Sequence, residues 1–196
     1  MSLSMDWRNA KSVVQFQTAL GKLDRRGYET VAVRVLNRVG AMAHRGQGPS
    51  VVKTLAKTTS LPQKVVRKRV WVKRASPFGL EFHIIARHGD VSLKHFKARE
   101  TMRGVSVLMN GSREILPNTF MRGGRFPKRV DLGMNGHVFE ADTGSNRWGR
   151  GFSKAKSGVD LAVELQRGDT LDGFESIVNK NLPKRTEHEL RRLLGL

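Results

Sequence analysis

From Tyr28 onward the apolar residues Val31, Val35, Leu36, Val39 and Met42 recur at helical spacing, which predicts an amphipathic helix. Arg34, Arg38 and Arg45 fall together on a neighbouring flank, at i, i+4 and i+11, as a basic stripe. The stretch GQGPS, residues 46–50, interrupts the pattern and predicts a bend, after which VVKTLAKTT resumes helical character. In SLPQKVVRKRVWVKRAS, Ser60 and Pro62 supply a helix start. That helix is expected to run through RKRVWVKR and to end at Pro77. Upstream, SVVQFQT (12–18) reads as a short strand, and the following ALGKLDRRG either extends it or begins a helix.

The period then changes. In GLEFHIIARHG, Leu80, Phe82 and Ile84 share one face while Glu81 and His83 share the other, the alternation of a half-buried strand. GVSVLMNGSREIL predicts two strands joined at Asn110-Gly111, because that pair tolerates positive φ at both central turn positions, giving a hairpin over 105–116. HVFEADT (137–143) reads as a further strand. GSNRWGRGFSKAKSG (144–158), rich in glycine, serine and cations, reads as a mobile loop holding Trp148 and Phe152. A C-terminal helix is expected over 168–196, with Leu171, Phe174, Ile177, Val178, Leu190, Leu193 and Leu194 as its apolar positions and a kink or break at Pro183.

The expected class is therefore α+β: a small antiparallel β-sheet with a central hairpin, packed by N-terminal and C-terminal amphipathic helices. A chain of 196 residues, 38% of them hydrophobic, is long enough for one core and short for two. The expected organisation is one domain over 1–196. It comprises a basic helical half (1–76), a β-rich middle (77–143), the loop (144–158) and the C-terminal helix (168–196).

Charge changes this picture more than composition does. Lysine and arginine number 36 against 17 acidic residues, a formal net charge of +19. Between Glu29 and Glu81 there is no carboxylate at all, while Arg34, Arg38, Arg45, Lys53, Lys57, Lys64, Arg67, Lys68, Arg69, Lys73 and Arg74 all lie in that interval. Such a field favours polyanions or acidic protein surfaces as neighbours. There is no cysteine, which excludes disulfides, thiolate nucleophiles and thiolate metal sites together. No stretch approaches the roughly 20 apolar residues of a membrane helix, and the N-terminal residues lack the apolar run of a signal peptide. The expectation is a soluble protein made in the cytosol, without a membrane partner.

Catalytic motifs are not legible. None of His44, His83, His88, His95, His137 and His188 forms the i, i+4 pair of a zinc hydrolase. His83, His88, Asp90 and His95 make only a loose group whose spacing matches no recurrent metal site. The serines lack a G-x-S-x-G elbow, and the glycine-rich MRGGRF and RWGRGF lack a strand-glycine-helix setting. The expectation is a non-enzymatic protein without catalytic residues, metal or cofactor.

The segments SLPQKVVRKRVWVKRAS, SLKHFKARETMRGVSVLMNGSREILPNTFM and NLPKRTEHELRRLL, in that order, resemble the minor tail protein Z family, the tail-completion proteins of long-tailed bacteriophages and prophages. The similarity runs from about residue 30 to 196. It maps the family's helical Asn-Arg pair to Asn37-Arg38, its FKAR piece to Phe96 and Arg99, its pre-hairpin glycine to Gly104, and its LPNTF element to 116–120. Glu140 and Asp142 depart from it, standing in a strand more often basic in the family.

The resemblance implies a structural virion component in the tail or neck, synthesised in the bacterial host cytoplasm and acting at the head-proximal end of the tail, in the head–tail connection and DNA passage. It also implies a homo-oligomeric ring, a hexamer first and a dodecamer second, meeting tail terminator, tail tube or connector proteins. Residues expected to touch genomic DNA or an acidic partner are Arg34, Arg38, Lys64, Arg67, Lys68, Arg69, Lys73 and Arg74. Those expected at subunit or partner interfaces are Phe96, Arg99, Val105, Val107, Phe120, Trp148 and Phe152. Val65, Val66, Val70, Trp71 and Val72, interleaved with the cations, favour a protein partner over DNA for the basic segment. A hairpin edge with unpaired backbone groups can be completed by a neighbouring subunit, or can simply finish the chain's own core. A free-standing basic nucleic-acid-binding protein is the alternative reading.

Overall fold

Helix α1 (Arg25–Arg45) starts where Asp24 accepts a hydrogen bond from the Gly27 amide at 2.7 Å, and it stops where the Gly46 amide donates back to the Met42 carbonyl. Of its predicted stripe, Val31, Val35, Leu36 and Val39 are buried, with Ala32 and Ala43 beside them, while Met42 is half-buried. The structure, a computed structural model, describes residues 1–6, 21, 24–146 and 149–195. The strand expected over 12–18 and the side chain of Trp148 lie outside the described residues. After the bend at 46–50, α2 (Val51–Thr58) buries Val51, Val52, Leu55 and Ala56. Helix α3 (Gln63–Arg69) begins after Pro62.

Among the described residues the β structure forms three antiparallel sheets of three strands each, so the class is α+β with three small sheets where one was expected. The first joins β1 (Ser2–Asp6), β2 (Val70–Lys73) and β3 (Glu81–Ala86) in the order β1-β3-β2. Strand β3 alternates as its sequence predicts, with Phe82, Ile84 and Ala86 buried and Glu81 exposed. The second sheet, β4 (Arg99–Thr101), β5 (Gly104–Met109) and β6 (Ser112–Pro117), contains the predicted hairpin, one residue longer at each end. Asn110 and Gly111 turn it at φ 48° and 81°. The third joins β7 (Thr119–Phe120), β8 (Phe139–Asn146) and β9 (Gly149–Lys154) in that order. A short helix α4 (Leu161–Glu164) precedes the long α5 (Gly168–Leu194). Helix α1 lies along α5 and against β3, and α2 packs on both α5 and α3, so the helical half and the first sheet share one core.

Three local expectations change. The helix begun at Pro62 does not reach Pro77: it ends at Arg69, and Val70 to Lys73 pair with β3 in the register Val70↔Ala86 to Lys73↔His83. The β-branched, aromatic run Val70-Trp71-Val72 suits a pleated surface better than a helix once a partner strand is present. The loop expected over 144–158 contains β9, which pairs Phe152 with Ala141. Its glycines hid a strand that Phe152 holds by packing edge-on against Phe139, ring centroids 5.4 Å apart. Helix α5 continues through Pro183 without a break. Phe174 and Leu182 before the proline's ring, and Thr186 and Leu190 after it, are buried, and that packing outweighs the one backbone bond that Pro183 cannot make.

Candidate functional site

Without local carboxylates, some cations of the acid-free segment find backbone carbonyls as partners. Arg45 donates to the Arg67 carbonyl at 3.4 Å, and Arg69 donates to the Gly89 and Asp90 carbonyls at 3.1 Å each. Lys53 donates to the Gly48 carbonyl at 3.1 Å and to that of Gln47. Only Arg34, of the eleven cations in the segment, meets a carboxylate among the described residues: Glu189 of α5, at 3.7 Å. Arg69 is thus committed to tying α3 to the 89–90 loop, so its expected partner contact gives way to a structural one. Lys64, Arg67 and Lys68 stand exposed on α3, and Lys73 and Arg74 are exposed at and after the end of β2. The apolar residues interleaved with them divide: Val66 and Val70 are fully buried in the chain's own core, Val65 and Val72 are half-buried, and Trp71 is exposed. The area expected for a partner therefore reduces to Trp71.

The expected interface residues divide in the same way. Phe96, Val105 and Val107 are fully buried and present no surface to a neighbour, a correction that follows from β5 and the end of the 3-10 turn before β4 lying inside the core. Arg99 is exposed on β4. Phe120 and Phe152 belong to one aromatic cluster with Phe139, at centroid distances of 5.7 Å for Phe120–Phe152 and 6.1 Å for Phe120–Phe139. Asn37 has a structural task, its side-chain amide donating to the Ala75 carbonyl at 3.0 Å and accepting from the Ala75 amide at 2.9 Å. The Thr119 hydroxyl likewise accepts from the Val105 amide at 3.0 Å and donates to the Leu116 carbonyl at 2.7 Å, pinning the chain after the hairpin. Glu100 accepts from the Met121 amide at 3.1 Å and pairs with Arg129, fixing the far side of the same corner.

The histidines and acids of the loose group are separated by the fold. His83 bonds Glu81 at 2.9 Å, His88 meets Asp160 at 3.3 Å, and Asp90 accepts from the Ser157 and Gly158 amides at 3.0 and 2.8 Å. No group of three or more metal-ligating side chains occurs among the described residues. One serine–histidine contact invites a chemical test: Ser92 Oγ lies 2.9 Å from His137 Nδ1, while Lys94 Nζ lies 3.1 Å from His137 Nε2. An ammonium can only donate, so Nε2 accepts and Nδ1 carries the proton that it gives to Ser92. His137 is thereby unable to take a proton from the serine through Nδ1. Burial, with Lys154 and Lys94 adding to it, pushes the His137 pKa down, which keeps the ring neutral. The cluster joins the 3-10 turn (Leu93–His95) to the residues entering β8.

His44, buried in the last turn of α1, is held down to a pKa of about 4, by burial first and Arg45 second, with the Val70 backbone pulling the other way. Its Nε2 is buried without a hydrogen-bond partner. An unfolded histidine near 6.5 binds more protons than this one throughout the interval down to about 4, so the contribution is complete above pH 6.5 and is lost as pH falls through that window. Stability to urea should drop by about 1–2 kcal/mol between pH 7 and pH 5 from this group alone. His44→Leu should flatten that part of the profile, and an unchanged slope would assign the titration elsewhere.

Two residues outside the expected set complete the charged geometry. Lys180 and Arg185 of α5 line, with Arg38 of α1 and the turn residues 46–49, a cleft of about 680 Å³. Their spacing in sequence carries no recognisable signal, because Arg38 and Lys180 meet only through helix packing. Compared with protein-family models, curated proteins and solved structures, the chain matches none of them.

Proposed function

We propose that the chain is a structural virion protein, a tail-completion or neck component at the head-proximal end of a bacteriophage tail that works as a ring in the head–tail connection. The observation that carries this reading is common to all three sheets. The last strand in each order, β2, β6 and β9, is an outer strand, and each exposes a large apolar side chain: Trp71 at 46%, Ile115 at 49% and Phe152 at 51%. Each also carries an exposed cation, Lys73, Arg113 and Lys154 respectively. Open strand edges with an apolar centre and a charged rim suit association with other protein surfaces. The resemblance of the ordered segments to tail-completion proteins supplies the setting.

The competing reading, a free-standing nucleic-acid-binding protein, has its own support in Lys64, Arg67 and Lys68, which face solvent without a carboxylate partner among the described residues. Replacing these three by glutamine separates the readings. Each lost phosphate contact flattens the slope of log affinity against log salt by roughly 0.9, so three real contacts change it by nearly 3. Under the tail reading the slope is little altered, light scattering gives a ring mass for the parent chain, and Trp71→Glu with Ile115→Glu, both at exposed positions, abolishes the ring and tail incorporation in a folded protein. A strictly monomeric chain that is never incorporated, with a flattened slope in the glutamine variant, would sink the tail reading.

A further inference from the structure

Along one flank of α1, successive arginines have opposite fates. Arg34 meets Glu189 at 3.7 Å, and Arg192 approaches the same carboxylate at 4.0 Å. One turn on, Arg38 lines the 680 Å³ cleft together with Lys180 and Arg185, and no carboxylate lines it. None of the three cations has a hydrogen-bonding or ion-pair partner among the described residues. Cations held around one cleft repel each other, so the empty form is disfavoured and an anion that enters relieves the repulsion. The lining between them is mixed: Ala41, Met42, Pro49 and Ile177 supply an apolar part, and Gln47, Ser176 and Asn181 a neutral polar one.

We infer that this cleft is a docking groove for an extended acidic segment of a partner protein, one that sets a single large apolar side chain among its carboxylates. The carboxylates would meet Arg38, Lys180 and Arg185, with Arg38 and Arg185 able to form paired hydrogen bonds. The apolar side chain would cover Met42 and Ile177. The volume lies within the roughly 300–1,000 Å³ typical of clefts that enclose a ligand group. A nucleic acid fits the lining less well: a phosphodiester backbone brings nothing apolar to the floor, and the lining offers no aromatic ring on which a base could stack. The inference goes beyond the tail reading, since it rests on the cleft alone and holds for any assembly in which the chain takes part.

The test uses the full chain and three fluorescent probes in polarisation titrations. They are a nonapeptide of alternating aspartate and glutamate with a central leucine, the same peptide with serine at its centre, and a short DNA duplex. The leucine peptide should bind, with the serine peptide weaker by about tenfold. The variant Arg38→Gln, Lys180→Gln, Arg185→Gln should weaken the leucine peptide by at least about tenfold, while Lys64→Gln, Arg67→Gln, Lys68→Gln leaves it within about twofold. Arg38 and Lys180 are exposed and Arg185 is half-buried, so circular dichroism with a thermal melt checks the fold of the first variant. The inference is overturned by an absence of binding, by equal loss in both triple variants, or by equal binding of the two peptides. It is also overturned if the duplex depends on the cleft cations more than the peptide does, or if the parent chain self-associates through them in sedimentation. None of these outcomes requires a tail or a ring, so failure here is distinct from failure of the tail reading.

Discussion

Gly104→Ala should remove about 3–5 kcal/mol of stability, a large share of the total for a domain of this size. Gly104 opens β5 at φ 143°, a conformation that L side chains rarely adopt. A Cβ placed there would also overlap the carbonyl oxygen of Leu116, and the obstacle is backbone that pairs with β5, with Val105 opposite Leu116. Neither strand can yield without disturbing Val105 and Val107, which are fully buried. Gly111→Ala is the control. Its φ is 81°, but nothing lies within 4 Å of an added Cβ, so only the backbone term of about 1 kcal/mol applies. Urea unfolding of the two variants should place Gly104→Ala far below Gly111→Ala. Equal midpoints would mean that the hairpin entry is not packed as described.

Phe82→Ala should cost about 3–5 kcal/mol, and it should reverse the effect of a second substitution at Gly40. Phe82 of β3 is 1% exposed, and its ring sits where a Cβ on Gly40 of α1 would be. A mid-helix glycine is normally about 1 kcal/mol worse than alanine. Here Gly40→Ala should nonetheless destabilise the parent, because forcing the ring to move costs about 1–3 kcal/mol. With Phe82 reduced to alanine, the overlap disappears and Gly40→Ala should stabilise by about 1 kcal/mol. Thermal melts of the four proteins give the cycle, and a Gly40→Ala that stabilises both backgrounds would show that the ring is not the constraint.

The same pair of residues shows how much was legible beforehand. Alternation alone places Phe82 on the inward face of a strand, and spacing places Val31, Val35, Leu36 and Val39 on the inward stripe of a helix. That Gly40 must be glycine was not legible, because its reason is a ring 42 positions away in sequence. Trp71 and Phe152 tell a similar story. Local pattern places them in a helix and a loop, because cations or glycines dominate it, while the deciding contact is a partner strand, β3 or β8.

For the candidate surfaces the division has the same cause. The sequence by itself determined the α+β class, the asymmetry of charge, the hairpin at Asn110-Gly111 and the helix stripe that bears Arg34 and Arg38, all of which depend on residues within a few positions of one another. Only the tertiary structure decided which cations are free. It gave Arg69 to the carbonyls of Gly89 and Asp90, gave Arg34 to Glu189, withdrew Phe96, Val105 and Val107 into the core, and left Arg38 lining one cleft with Lys180 and Arg185. Local periodicity fixes which way a side chain points from its own element. What it meets there depends on contacts that close loops of tens to more than a hundred residues, and no short-range pattern encodes those.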